Sequence, residues 1–211
     1  MEAFSRVLVL APHTDDGELG CGGTIARLLE EKKQVFYTAF SIAEKSVPPE
    51  FPSNILETEV KKATDALGIK ENNLIIKHYE VRTFPYHRQE ILEDIVSLRK
   101  EIKPALIFMP SLADLHQDHK VIAEEGARAF KASTVLCYEQ PWNNLSFGTS
   151  CLVRLEERHI SKKIEALKCY GTQKNRDYMS EEFIRGLART RGVQIGTRYA
   201  EAFEVVRWVI N

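Results

Sequence analysis

The chain has 211 residues, of which 29 are Lys or Arg and 30 are Asp or Glu, so its formal net charge is −1. This balance argues against nucleic acid or an anionic membrane as the main partner, and the apolar runs are too short to span a bilayer. No basic stretch followed by a long apolar region opens the sequence, and none of the four cysteines forms a C-x-x-C pair. We therefore expect a cytoplasmic protein with no membrane span and no need of disulfides.

Short apolar runs alternate with longer amphipathic stretches over the first two thirds of the chain. Five runs are predicted as strands: residues 7–11, 35–40, 74–77, 105–109 and 134–138. Four helices are predicted between these strands: residues 22–31, 56–67, 88–102 and 119–130. Gly68 is typical of a helix stop. The alternation predicts an α/β fold with a mostly parallel sheet flanked by helices.

The last third departs from this regular alternation. Strands are predicted at residues 152–154 and 203–208, and helices at residues 156–169 and 181–192. The sequence has no low-complexity linker, internal repeat or sharp change of composition. We therefore expect one domain over residues 1–211.

Two polar clusters follow the first and fourth predicted strands. They are residues 12–16 (PHTDD) and residues 114–119 (DLHQDH). In the common doubly wound order these two strands are neighbours, and ligands bind beyond the carboxyl ends of parallel strands. The fold and the clusters therefore indicate the same place for an active site, at the C-terminal ends of the strands.

These clusters carry side chains suited to a metal ion. His13 and Asp16, and His116 and His119, stand at i, i+3 spacing, which points both members of a pair the same way on a helical turn. We expect His13, Asp16 and His119 to be the protein ligands and to leave one position open for water. Two imidazoles and one carboxylate suit Zn²⁺, and Fe²⁺ or Co²⁺ would also fit.

The remaining polar residues of the clusters have separate expected roles. Asp15, next to a ligand, is positioned to act as a general base. His116, as an imidazolium, would stabilise the oxyanion of a tetrahedral intermediate. Asp118 would orient one histidine through a hydrogen bond, although it is equally suited to cap the following helix.

Four glycines, Gly17, Gly20, Gly22 and Gly23, follow the first cluster. The dinucleotide pattern G-x-G-x-x-G fails because Ile25 stands at its last position. We interpret these glycines as room for a tight turn and for close helix packing. A serine hydrolase is unsupported because the G-x-S-x-G motif is absent from the sequence.

The two polar clusters and the glycines after the first one resemble the motifs of a known family. Residues 12–18 (PHTDDGE), followed by Gly22 and Gly23, resemble the opening motif of the LmbE/PIG-L family of zinc-dependent N-deacetylases, and residues 116–119 (HQDH) resemble its second motif. The family usually has proline where this chain has Thr14 and Gln117, but neither position supplies a ligand. Residues 199–203 (YAEAF) resemble a C-terminal element of the family, so the similarity covers nearly the whole chain.

The resemblance implies a Rossmann-like fold and removal of acetyl groups from N-acetylated amino sugars or their conjugates. His13, Asp16 and His119 match the metal ligands of the family, Asp15 its general base and His116 its oxyanion-stabilising histidine. The expected partner is thus a small N-acetylated sugar or conjugate, and a homo-oligomer is allowed. Two alternatives stay open: a metallo-amidase acting on a non-sugar amide, and a noncatalytic sugar- or nucleotide-binding module, which would need neither Asp15 nor His116.

Two arginines are expected to contact substrate. Arg82 and Arg88 follow the third strand, and a guanidinium recognises phosphate, carboxylate or sugar hydroxyls through its planar fork. His78, His87 and His159 have no partners at ligand spacing, so we expect them to be ordinary surface or loop residues.

Overall fold

The computed structural model describes residues 4–209, in which one seven-stranded sheet has the order β3-β2-β1-β4-β5-β7-β6. The strands are β1 (Arg6–Ala11), β2 (Gln34–Ala39), β3 (Leu74–Ile76), β4 (Leu106–Pro110), β5 (Thr134–Tyr138), β6 (Cys151–Leu155) and β7 (Tyr199–Arg207). The first five are parallel, whereas β7 is antiparallel to both β5 and β6. The predicted α/β fold with a mostly parallel sheet is confirmed, as is the adjacency of the first and fourth strands.

Six α-helices flank this sheet within residues 4–209. They are α1 (Asp16–Glu30), α2 (Ile55–Leu67), α3 (Arg88–Ile102), α4 (Gln117–Ala129), α5 (Glu157–Leu167) and α6 (Glu181–Val193). Gly68 ends α2 in the left-handed conformation, with φ of 96°, which confirms the predicted stop. In the part of the chain described, no helix is long and apolar enough to cross a membrane.

Alternate residues of the strands enter two hydrophobic cores, one on each face of the sheet. In β1, Val7 and Val9 belong to the core under α1, α2, α5 and α6, whereas Leu8 and Leu10 belong to the core under α3 and α4. Such burial on both faces accounts for the continuous apolar runs in the sequence. It also leaves the ends of the strands as the place where polar side chains can meet.

The first helix begins earlier than predicted. The sequence indicated a start at residue 22, but α1 begins at Asp16 and includes the four glycines. A Cβ on Gly17 would lie 2.5 Å from Cε2 of Tyr37, and one on Gly20 would overlap the ring of Tyr138. The glycines therefore provide close packing rather than a tight turn, and tertiary contacts outweigh their low helix propensity.

A break at Cys21, where φ is −145° and ψ is 22°, divides α1 into two parts. Glu201 of β7 accepts hydrogen bonds from the backbone N–H groups of Gly23 (3.0 Å) and Thr24 (2.7 Å). Lys163 of α5 donates to the carbonyl oxygen of Leu19 at 2.6 Å and lies 2.7 Å from Glu201 Oε1. This buried ion pair thus replaces backbone hydrogen bonds lost at the break.

Removing one member of this pair should destabilise the protein strongly. We expect Glu201→Ala to lower the free energy of unfolding by about 3–5 kcal/mol, because Lys163 would be left buried without its counter-ion. Urea denaturation followed by circular dichroism measures this loss. The control is Lys61→Ala, which removes the exposed ion pair with Glu57 and should cost at most about 1 kcal/mol. Equal losses in the two variants would contradict the structural role of the buried pair.

His159 differs from its prediction as a surface or loop residue. It lies in the first turn of α5 with its side chain buried. Its Nδ1 accepts the backbone N–H of Glu156, and Nε2 lies 2.6 Å from a carboxylate oxygen of Glu30. The partner on α1 is distant in sequence, which is why spacing alone did not identify it.

Candidate active site

The two polar clusters meet where β1 and β4 end. His13 and Asp15 lie between β1 and α1, and Asp16 is the first residue of α1. His116 caps the N-terminus of α4, and His119 lies in its first turn. Because β1 and β4 are adjacent and parallel, both loops open on the same edge of the sheet.

Three side-chain atoms form a nearly equilateral triangle. Asp16 Oδ2 lies 3.2 Å from His13 Nδ1 and 3.2 Å from His119 Nε2, and the two nitrogens are 3.3 Å apart. Ligands bound tetrahedrally to zinc at about 2.0–2.1 Å are separated by roughly 3.3 Å. The donor types and their spacing therefore fit a divalent metal ion held by His13, Asp16 and His119.

A second carboxylate orients each of these imidazoles. Asp118 Oδ2 lies 3.0 Å from His13 Nε2, and Asp114 Oδ2 lies 2.9 Å from His119 Nδ1. Since a carboxylate can only accept, the proton of each ring lies on the nitrogen facing it. The opposite nitrogen, His13 Nδ1 or His119 Nε2, is then free to bind a metal, which is the usual arrangement around metal-ligating histidines.

The charge of the site favours a cation at the triangle. Burial lowers the pKa of His119, but Asp16 and Asp114 outweigh it and raise that pKa to about 10. Burial likewise raises the pKa of Asp16, yet the nearby imidazoles of His119 and His13 bring it well below its usual value. The two carboxylates thus stabilise positive charge on the His119 ring, and a metal ion bound at Nε2 would take the place of the second ring proton.

Asp15 stands apart from the triangle. Its carboxyl group is half-buried and lines the same cavity as the three histidines. Burial, reinforced by the charge of Asp16, raises the pKa of Asp15 to about 6. Its position and basicity suit a group that exchanges protons with a bound molecule.

His116 is half-buried beside the other two imidazoles, and one nitrogen from each of the three rings lies within 4.8 Å of the others. A three-histidine ligand set is therefore an alternative, but the triangle that includes Asp16 is tighter. The Nδ1 of His116 accepts the backbone N–H of Asp118 at 3.2 Å. Burial and the other two histidines lower the pKa of His116 to about 4. In the neutral form that this pKa favours, the ring carries its proton on Nε2, whereas the sequence-based expectation is an imidazolium.

Of the two roles expected for Asp118, the structure has the contact with His13. It does not have the cap, because the N-cap of α4 is His116. The Asp118 carboxylate is buried and also accepts the backbone N–H groups of Arg82 and Phe84. Arg82 thus contacts Asp118 through its backbone, which has a left-handed conformation with φ of 71°. Arg82 is exposed to solvent.

Neither predicted substrate arginine is among the residues that line the cavity. Arg88 instead forms ion pairs with Glu124 and Glu125 of α4. The two pairs join α3 to α4. The expectation that Arg82 and Arg88 contact substrate therefore has no support from their positions.

Several residues of the site lacked a recognisable sequence signal. Gln140 donates its amide to Asp16 Oδ1 at 2.9 Å. The carbonyl oxygen of Thr14 accepts hydrogen bonds from the hydroxyl groups of Tyr37 (2.8 Å) and Tyr170 (2.7 Å). Both hydroxyl groups also contact the carboxyl group of the buried Glu18. Burial raises the pKa of Glu18 to about 8, so this carboxyl group is largely neutral at pH 7. These contacts fix the backbone that carries Asp15.

The cavity beside the triangle has a volume of about 230 Å³. Asp15, His116 and the triangle line one part of it, and Trp142 and Tyr178 line another. Its volume is below the roughly 300–1,000 Å³ common for drug-sized ligands. A compact ligand with polar groups suits this space.

A family model matches more than half of the chain. Residues 8–130 match the family model described as PIG-L: GlcNAc-PI de-N-acetylase. The chain belongs to the PIG-L (LmbE) family. The matched residues include all three members of the triangle, Asp15 and His116, whereas Trp142, Tyr178 and Glu201 lie beyond them.

Similar proteins in the family carry deacetylase names. The chain is 24% identical to a diacetylchitobiose deacetylase of Thermococcus kodakarensis, covering 95% of this chain and 83% of that protein. It is 27% identical to a probable N-acetyl-alpha-D-glucosaminyl L-malate deacetylase 2 of Bacillus anthracis, covering 82% of this chain and 83% of that protein. The solved structure of GalB from Pseudomonas putida, a 4-carboxy-2-hydroxymuconate hydratase, has a TM-score of 0.81 at 18% identity, covering 98% of both chains. The PIG-L fold thus accompanies more than one reaction, and the chemistry must be argued from the site.

Proposed function

We propose that this PIG-L family chain is a metal-dependent amidohydrolase that removes the acetyl group from an N-acetylated amino sugar or sugar conjugate. The observation that carries the proposal is the triangle of His13, Asp16 and His119 beside the separate carboxyl group of Asp15. The deacetylase names of two relatives support the acetyl group and the sugar as substrate features.

In this proposal His13, Asp16 and His119 hold the metal ion. Zinc suits the two nitrogens and one oxygen, and Fe²⁺ and Co²⁺ are alternatives. A divalent ion bound there would act as a Lewis acid that polarises the acetyl carbonyl. It would also lower the pKa of water, so that a nucleophile is available near neutral pH. Asp114 and Asp118 hold the two imidazoles in the orientation and tautomer that binding requires.

Asp15 moves the protons of the reaction. Its carboxylate takes one proton from the attacking water as the new carbon–oxygen bond forms. The resulting carboxylic acid then gives that proton to the amide nitrogen as the carbon–nitrogen bond breaks. The products are the free amine and acetic acid, which loses its remaining proton to the amine or to solvent and becomes acetate, and Asp15 is again a carboxylate.

His116 stabilises the negative oxygen of the tetrahedral intermediate. The backbone N–H of Asp118 occupies Nδ1, so the proton of the neutral ring is on Nε2 and is available to donate. A neutral N–H donor stabilises an oxyanion by the same electrostatic principle as a backbone amide.

Loss of an orienting carboxylate should weaken metal binding without removing a ligand. For Asp118→Asn we expect the metal dissociation constant to rise by about 10- to 100-fold, the usual effect of losing such a partner. Competition with a chromophoric chelator measures this change. Asp94→Asn is the control, since Asp94 lies on α3, pairs with Lys77 and does not line the cavity. An unchanged dissociation constant for Asp118→Asn would contradict the orienting role.

Acetate release tests the proposed reaction. Purified protein would be assayed on free, nucleotide-linked and conjugated N-acetyl amino sugars and on non-sugar N-acetyl amides, with and without a chelator. Release from sugars that the chelator abolishes supports the proposal, and release only from the other amides favours the non-sugar amidase. Absence of release by metal-loaded protein, together with sugar binding that survives chelation, would favour the binding module.

A further inference from the structure

One cation lines the cavity. Among the lysines and arginines that the structure describes, Arg176 alone contributes to the cavity wall, which otherwise carries the carboxyl groups of Asp15 and Asp16. Arg176 lies between α5 and α6, and its side chain is exposed. It is therefore positioned to meet a molecule that enters from solvent.

Aromatic contacts hold the Arg176 side chain in place. Its Nη1 donates to the hydroxyl oxygen of Tyr178 at 2.7 Å, and its guanidinium carbon lies 5.7 Å from the centre of that ring. The ring of Tyr178 in turn stacks on Trp142, with centroids 4.3 Å apart and an angle of 11° between the planes. Because Tyr178 and Trp142 also line the cavity, they orient the guanidinium at its wall.

Within residues 4–209, no carboxylate oxygen lies at ion-pair distance from Arg176, whose charge acts only at longer range on Asp15, where it partly offsets the rise in that pKa. By contrast, Arg88 and Arg191 are each paired with a buried glutamate. With Nη1 committed to Tyr178, the Nε and Nη2 edge of Arg176 stays free to donate two parallel hydrogen bonds. That edge matches the oxygens of a carboxylate or a phosphate.

We propose that the substrate carries an anionic group, a carboxylate or phosphate, on the part of the conjugate away from its acetamido group, and that Arg176 binds it. This inference rests on the proposed deacetylase function and adds a specificity-determining residue to it. The parts of Trp142 and Tyr178 that line the cavity provide an apolar surface beside the guanidinium for the sugar ring. The small cavity fits a single sugar with a compact acidic substituent better than a long glycan.

Matched substrates test the charge requirement. The probes are the methyl glycoside of N-acetylglucosamine, N-acetylglucosamine 1-phosphate, and the glycoside of N-acetylglucosamine with glycolic acid. We expect wild-type protein to have a higher kcat/KM for an acidic probe than for the methyl glycoside. In Arg176→Gln that preference should fall by on the order of 10- to 100-fold, mainly through KM, as for loss of a charged hydrogen bond. Preference for one acidic probe over the other would distinguish phosphate from carboxylate.

The control variant is Lys174→Gln, which removes an exposed positive charge two residues away and outside the cavity. Lys174→Gln should keep the wild-type preference for the acidic probes, because Lys174 does not line the cavity. If positive charge acted only generally, by attracting an anionic substrate, both variants would lose the preference. Equal use of the three probes by wild-type protein, or an equal loss on all three in Arg176→Gln, would overturn the proposal.

Binding separates this inference from the proposed reaction. Calorimetric titration of the three probes into metal-loaded Asp15→Asn protein measures recognition without turnover. Tighter binding of an acidic probe that is lost in the Asp15→Asn, Arg176→Gln double variant supports the anion site even if the wild-type protein releases no acetate. Equal binding of all three probes would overturn the anion site while leaving the deacetylase proposal to its own assay.

Discussion

Asp15→Ala is expected to lose nearly all acetate release while the protein keeps its metal ion. Asp15 lines the cavity but lies outside the triangle formed by His13, Asp16 and His119. Without its carboxyl group, no residue at that position would take the proton from water or return one to the departing amine. General acid–base catalysis contributes about 10²- to 10⁴-fold to a rate, so kcat should fall by about this factor.

Two measurements on one preparation test this prediction. Metal content by elemental analysis should equal that of the wild-type protein, and kcat should fall with little change in KM. Asp177→Ala is a suitable control, because this exposed residue stands in the sequence between two residues that line the cavity but does not line it itself. Normal turnover by Asp15→Ala would show that the general base is another group.

Asp16→Ala is expected to lose the metal ion itself. Asp16 Oδ2 contacts both imidazoles of the triangle at 3.2 Å, and Oδ1 accepts the amide of Gln140. The substitution removes one of three ligands and the negative charge that stabilises a cation between His13 and His119. We expect the metal dissociation constant to rise by more than the roughly 100-fold that loss of an orienting partner can cause.

Asp15→Ala serves as the matched control for this second variant, since it deletes the neighbouring carboxylate from the same loop. Chelator competition on the two variants should give a large rise in the dissociation constant for Asp16→Ala and almost none for Asp15→Ala. Equal metal loss in both would contradict the division of roles between the adjacent aspartates. Retention by Asp16→Ala would instead favour the ligand set of His13, His116 and His119.

The sequence predicts the meeting of the two clusters well because each is short and follows a buried strand. Strand order then brings His13 and His119 together, although they are far apart in sequence. By contrast, Gln140 reaches α1 from the segment after β5 and Glu201 reaches it from β7, and nothing local to those residues indicates their partners. Long-range hydrogen bonds of single polar side chains leave no periodic pattern to read.

Backbone roles are harder to predict from sequence than side-chain roles. Arg82 was expected to offer its guanidinium to substrate, but the structure uses its N–H group to hold Asp118. The start of α1 was missed for a related reason, because glycine at positions 17 and 20 indicates a loop unless the rings of Tyr37 and Tyr138 are known to lie against it. In both cases the decisive partner is remote in sequence.

The buried pair of Lys163 and Glu201 makes the metal-binding segment dependent on the far end of the chain. All three residues of the triangle lie within residues 8–130, the part that matches the family model. Yet the two parts of α1, on either side of its break, are held together by hydrogen bonds from their backbones to Lys163 of α5 and Glu201 of β7. A fragment containing every ligand would lack these supports. The antiparallel strand β7 and helix α5 therefore help to fix the first helix, so ligand geometry is a property of the finished fold rather than of the motif.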